Sequence, residues 1–417
     1  METKMIERVS RKVIKPSSST PQSHRRYILS SFDQMMSPFY ASCAFYYTNP
    51  GHRNISSIAQ KLQNSLSNAL THYYPFAGRL VENNYIDCND QGVEFVEARI
   101  HCPINDVLNS KSTYVVDLIF PRMASPNEDC LVAFQVSYFE CGGVAIALCI
   151  SHKIADGSTL YTFMNNLATS TRLSSQVPTP LLLSDSIFPC GNDIVPRPLN
   201  PTENCVSKTF TFPASKIEEL KSKAIELGIS KPTRTEVISA FLFQCANNCG
   251  KFRPSAMLTA INLRPLLGLP QNAVGNMFSS YFCIIEDERM EFPAILGELR
   301  KEKLKFQTLP KEKLFFASQM QELGECLMEN NQGCRSEPEV YFCSSAVGFP
   351  RQNTDFGLGK PVWMFTFLPE PKNSIFLFDS PGGEIEALVI FEEEKMSAFQ
   401  NNQLLLSFTS VKHKSKL

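Results

Sequence analysis

Between Gln176 and Asn204 the chain carries Pro178, Pro180, Pro189, Pro196, Pro198 and Pro201, interspersed with serines and with no sustained apolar period. Proline fixes φ and lacks a backbone N–H, so such a stretch is denied helix. At 417 residues the chain is also long for one hydrophobic core, and chains of this size divide into domains of about 200 residues or fewer. The proline-rich stretch therefore reads as a crossover, 176–204, between an N-terminal domain, 1–175, and a C-terminal domain, 205–417. Strand and helix patterns alternate in both halves, and several hairpin signals argue against a purely parallel sheet. The class is α/β with mixed sheets.

In the first half, Val9 to Ile14 alternates like an opening strand, and Ile58, Leu62, Leu66, Ala69, Leu70 and Tyr73 form a helical stripe that Pro75 ends. Gly78 supplies a tight turn after it. Tyr85 to Asp87 and Val93 to Ala98 read as a strand pair around Asn89 to Gly92. In the second half, Ser215 to Glu218 and Thr233 to Glu236 both have capping-box spacing, with Gly228 as a stop between them. Glu298 to Leu327 reads as mostly helical with a break at Pro310.

The stretch Ser151-His152-Lys153-Ile154-Ala155-Asp156-Gly157 stands out chemically. It follows the apolar run Val144 to Ile150, a buried strand, and precedes the helical spacing of Leu160, Phe163, Met164 and Leu167. His152 thus sits where a strand gives way to a helix and rigid elements can fix a side chain facing a cleft. Asp156 is placed to cap the helix or hold the turn. Spacing alone does not decide the matter. With 6 histidines in the chain, roughly 0.3 His-x-x-x-Asp matches arise by chance at average composition, and a histidine after a strand is more often structural.

A second stretch, Asp355-Phe356-Gly357-Leu358-Gly359-Lys360-Pro361, lies far downstream. Together the two resemble the signatures of the plant BAHD acyl-CoA-dependent acyltransferases, His-x-x-x-Asp-Gly and Asp-Phe-Gly-Trp-Gly-Lys/Arg-Pro. Leu29 to Gln34, Tyr74 to Leu80, Asn262-Leu263-Arg264 and Gly275-Asn276 are similar to further elements of the family, so the likeness runs from Leu29 to Phe391. Tyr138 to Gly143 and Lys231 to Val237 bring the chain nearest to the alkaloid-modifying branch. Leu358 departs from the pattern, standing where the family has Trp.

The resemblance implies two similar-sized domains of chloramphenicol acetyltransferase type with a channel between them. The first would carry the His-x-x-x-Asp motif and the second the Asp-Phe-Gly-x-Gly motif. It implies acyl transfer, most commonly of acetyl, from acyl-CoA as co-substrate to a hydroxyl of a specialised metabolite such as an alkaloid. His152 would be the general base and Asp156 an orienting or structural residue. Asp355, Gly357, Gly359 and Arg264 would be structural, with Arg264 the cation for Asp355. Lys231, Thr233 and Arg234, opening a helix, are candidates for the CoA phosphates. An amine acceptor, a bulkier acyl donor (benzoyl, branched-chain or fatty acyl) and a catalytically weak, metabolite-binding relative stay open as alternatives.

Net charge is −1 and Lys and Arg are scattered, so no global field favours nucleic acid or an anionic membrane. No apolar run approaches the ~18 residues of a membrane helix. The 14 cysteines lack framework spacing, and Cys245 and Cys249 have no neighbours in sequence to complete a zinc set. Reduced thiols, no metal, no permanently bound cofactor and a monomer are the expectation. The resemblance implies the cytosol, whereas Ser415-Lys416-Leu417 matches the peroxisomal address.

Overall fold

The structure, a computed structural model, describes residues 5–48, 57–110, 118–123, 125, 130–192, 194–196, 204–249, 254–285, 290–314, 339–349, 354–367 and 372–416. The chain divides into two compact units. One comprises Met1–Leu199, Gly268–Met277 and Pro350–Pro369, the other Asn200–Leu267, Phe278–Phe349 and Glu370–Leu417.

The first unit is built on a six-stranded sheet ordered β1 (Ile6–Ile14), β6 (Val93–Ile100), β7 (Val132–Phe139), β8 (Val144–Ser151), β3 (Tyr40–Tyr47) and β15 (Trp363–Phe367). Only β6 and β7 pair in parallel. Every residue of β8 is buried, as an interior strand covered on both faces requires. On one face Phe163, from the helix Gly157–Leu173, meets Phe134 of β7, with ring centroids 6.4 Å apart, and Tyr73 and Phe76 at 4.9 and 5.1 Å. The helix Ile58–His72 buries Ile58, Leu62, Leu66, Ala69 and Leu70, the expected stripe. The other face is a cluster of Ala44, Tyr46, Ile104, Val107, Phe139, Ala145 and Ala147, closed by Trp363 and Phe365. A three-stranded sheet orders β2 (Arg26–Ile28), β5 (Tyr85–Asp87) and β4 (Arg79–Val81), and β9 (Leu181–Leu182) pairs with β12 (Ala273–Val274).

The second unit is a seven-stranded sheet ordered β13 (Phe278–Ile285), β11 (Ser255–Asn262), β14 (Glu339–Ser345), β16 (Ser374–Asp379), β17 (Ile385–Glu392), β10 (Cys205–Phe212) and β18 (Ser410–Lys416). Its β11–β14 and β14–β16 pairs are parallel. Phe241, from the helix Arg234–Asn247, packs against Phe212, Phe292 and Phe408 at 6.0, 6.4 and 4.9 Å. Both units are therefore mixed α/β, as the alternating pattern predicts.

Four expectations are corrected. The domains are not two contiguous halves, because β15 returns to the first sheet and pairs with β3, Phe365 opposite Ala44. The Asp355 to Pro361 segment thus belongs to the first unit. The proline-rich stretch is not a free crossover up to Asn204, since Leu181 and Leu182 pair with Ala273 and Val274 and the unit continues to Leu199. Tyr85–Asp87 is a strand, but it pairs with β2 and β4, while β6 pairs with β1 and β7. Gly78 explains the close packing there, for a Cβ on it would lie 2.5 Å from the Asp87 carbonyl oxygen. Finally, the helix Ala214–Glu226 is capped at Pro213 without a side-chain bond. The Ser215 to Glu218 spacing therefore makes no capping box. The helix at Glu298 is Phe292–Gln307, and its expected continuation beyond residue 314 lies outside the described residues. Ser415 and Lys416 lie in β18, opposite Ser207 and Val206, with Leu417 outside the described residues.

Candidate active site

The site begins where β8 ends. Ser151 donates its N–H to the Leu131 carbonyl at 2.7 Å, and His152 donates its own to the Phe39 carbonyl at 2.9 Å. Ile154 N–H closes the turn onto the Ser151 carbonyl at 3.2 Å. The His152 imidazole lies against the Phe39 ring, centroids 4.9 Å apart. His152 itself is only partly buried. Desolvation, the largest influence, lowers its pKa below the ordinary 6.5, and Lys153 adds to that lowering. Its own backbone carbonyl, Asp156 and Asn276 pull the other way. The imidazole is thus held as a neutral proton acceptor at pH 7.

Both Asp156 oxygens accept backbone N–H groups. Its Oδ1 accepts the Thr159 N–H at 2.8 Å, capping the helix Gly157–Leu173. Its Oδ2 accepts the Met277 N–H at 3.0 Å. The neighbouring Thr159 hydroxyl donates to the Gly275 carbonyl at 3.2 Å. These bonds stitch the segment Gly275–Met277 to the helix start.

That segment also carries Asn276. Asn276 is 1% exposed. Its side-chain amide donates to the His152 carbonyl at 2.6 Å and to Asp33 Oδ1 at 2.8 Å, and its backbone N–H reaches the same Oδ1 at 2.9 Å. The other Asp33 oxygen accepts from the Ser30 hydroxyl at 2.6 Å and the Ser30 N–H at 3.1 Å, completing a capping box on the helix Ser31–Met35. Burial raises the Asp33 pKa, and the bonds from Ser30 and Asn276 oppose it. His152, Asn276 and Asp33 therefore form one clasp assembled from three distant parts of the chain.

The downstream motif secures the other end of the same helix. Asp355 Oδ1 accepts the N–H groups of Gly357 and Gly359 at 2.7 and 2.8 Å, and Oδ2 lies 3.8 Å from Arg172 Nε in the helix's last turn. Gly357 and Gly359 have φ of +93° and +92°, which favours glycine at both places. Within this unit Arg172 is a cation at Asp355. Leu358, in the place of the family's Trp, is buried.

In the second unit, Arg264 is fully buried and its guanidinium donates to Asn262 Oδ1 at 3.3 Å. Thr233 caps the helix Arg234–Asn247 in a reciprocal box with Glu236, as its spacing predicts. Arg234 donates to Asp379 Oδ1 at 2.9 Å. Lys231 is an exposed side chain on a left-handed backbone, φ +47°.

The Transferase family profile matches residues 4–406. The chain is 55% identical to akuammiline synthase 1 of Alstonia scholaris over 98% of each chain. It is 47% identical to deacetylvindoline O-acetyltransferase of Catharanthus roseus, covering 97% of this chain and 98% of that one. The crystal structure of vinorine synthase superimposes with a TM-score of 0.83 at 31% identity, covering 97% of this chain and 98% of that one.

Proposed function

The chain belongs to the Transferase family of BAHD acyltransferases, and from that premise we propose that it moves an acetyl group from acetyl-CoA to a hydroxyl of an alkaloid, with His152 as general base. An alcohol of pKa ~16 is a poor nucleophile at neutral pH, whereas an imidazole near 6.5 can take its proton as attack proceeds. The acceptor O–H proton passes to a ring nitrogen of His152, and the oxygen attacks the thioester carbonyl. The tetrahedral oxyanion collapses, the C–S bond breaks, and CoA leaves as thiolate and regains the proton from His152. The ester forms directly in a ternary complex, without an acyl-enzyme.

The observation that carries this reading is the clasp on His152. The residue after β8 is held at its N–H by Phe39, at its carbonyl by Asn276 and on its ring by Phe39, with its imidazole kept neutral by desolvation. Held so, the base needs little reorganisation when substrate binds. The acetyl donor and hydroxyl acceptor are supported by the named activity of the Catharanthus roseus relative. The test is release of free thiol from acetyl-, malonyl-, benzoyl- and fatty acyl-CoA with pooled alkaloid alcohols and amines, products identified by mass. Acceptor-dependent release from acetyl-CoA yielding an acetate ester is expected. Release only with amines, or only with another donor, would overturn the substrate assignment. Acceptor-independent hydrolysis alone would overturn acyl transfer.

A further inference from the structure

The clasp has a third tier, on the side chain following His152. Lys153 is 1% exposed, yet its ammonium hydrogen-bonds uncharged oxygens. It donates to the Gln34 carbonyl at 2.8 Å, to Asn83 Oδ1 at 2.5 Å and to the Asp33 carbonyl at 3.4 Å. Two of these acceptors are backbone carbonyls of the helix Ser31–Met35, the helix that presents the Asp33 carboxylate to Asn276. Lys153 therefore fastens one end of a short chain of contacts whose other end is the His152 carbonyl.

We propose that Lys153 is a positioning residue for the acyl-transfer site, and that its charged form holds the Asp33–Asn276 clasp on His152 while its deprotonation loosens it. The physical reason is a count of donors. An ammonium has three N–H groups for three oxygens, whereas a neutral amine has two. Loss of the proton removes the Lys153 donor from one of the three oxygens, and each of them belongs to a segment that positions the helix.

The surroundings let this happen in an accessible pH range. Lys153 borders a pocket of about 300 Å³ with Pro38, Leu80, Glu82, Asn83 and Pro196. Burial pushes its ammonium down to about 8, with Asp33 opposing. The charged or titratable groups facing it are Asp33, already engaged by Ser30 and Asn276, Glu82 at the pocket and His152 next in the chain.

This inference rests on the general-base reading of His152, and its test reads the two separately. Protein with isotope-labelled histidine is titrated by NMR from pH 5 to 10, with the His152 ring signals assigned by their loss in His152→Ala. The expected curve has its main inflection below 6.5, from the imidazole, and a second near 8, from Lys153. Lys153→Met should remove the second inflection and lower kcat by about tenfold or more. Leu80→Glu, which adds a carboxylate to the pocket without touching the Lys153 hydrogen bonds, should move the second inflection up by about one pH unit or more. A single inflection in the wild type, or a second one that Leu80→Glu leaves in place, overturns the proposal whether or not Lys153→Met folds. A main inflection at or above 6.5 would instead count against the desolvated base.

Discussion

Two lysines drawn into the protein, Lys153 buried in the first unit and Lys395 partly buried in the second, are treated differently. Lys395 in the second unit lies 2.6 Å from Glu339 and also bonds the Tyr341 hydroxyl, while Asn373 donates to the other Glu339 oxygen at 3.1 Å. Burial lowers its pKa, but Glu339 is there to resist. The bond ties the helix Glu393–Gln400 to β14, and its work is structural. Lys153 in the first unit has only neutral oxygens as hydrogen-bond acceptors. Asp33 supports that charge through its field, while the hydrogen bond from Lys153 is taken by the Asp33 backbone carbonyl.

Variants can break the contrast or sharpen it. His152→Ala should reduce acceptor-dependent acyl transfer by roughly a hundredfold or more, read as free thiol, without unfolding the protein. Asn276→Ala removes both side-chain bonds of the clasp, to Asp33 and to the His152 carbonyl, and should lower kcat about ten- to a hundredfold in initial-rate assays. Lys395→Met should act on stability instead. It leaves Glu339 without its cation, but that side chain is 33% exposed, so the expected loss is about 1–3 kcal/mol by denaturant unfolding with kcat unchanged. Asp156→Asn keeps an acceptor for the Thr159 N–H and should keep activity within about tenfold. A triad role would cost roughly 10⁴-fold there, so this variant separates capping from charge relay.

Protonation adds a signed prediction. His152 has a folded pKa below the ordinary 6.5, so between the two values the unfolded chain holds more protons. The contribution of His152 to stability therefore rises as pH climbs through that window and is complete above 6.5. Thermal unfolding of the wild type against His152→Ala from pH 4.5 to 7.5 should show the difference.

How far the sequence led depends on the range of the contacts. Local patterns sufficed for β8, the helix Ile58–His72, the Thr233 cap and the placement of His152 and Asp156 at a strand–helix junction. They failed where partners lie far apart. Asp33 and Asn276 are 243 residues apart, so nothing in the spacing of Gly275-Asn276 marks it as more than a turn. The return of β15 to β3 is likewise a long-range pairing, invisible to period, and it moved the Asp355 motif from the expected domain to the other. Ser215 to Glu218 failed for a different reason, because Pro213 starts the helix two residues earlier and occupies the cap. Lys153 carries no signal of its own, since nothing in the sequence shows that a lysine will be buried.

The most direct test of the account is the acid limb of kcat/KM for acetyl transfer by the wild type. A neutral, desolvated imidazole acting as base predicts activity that falls with a single inflection below pH 6.5. An inflection at or above 6.5, or a rate that holds level down to pH 4.5, would contradict it.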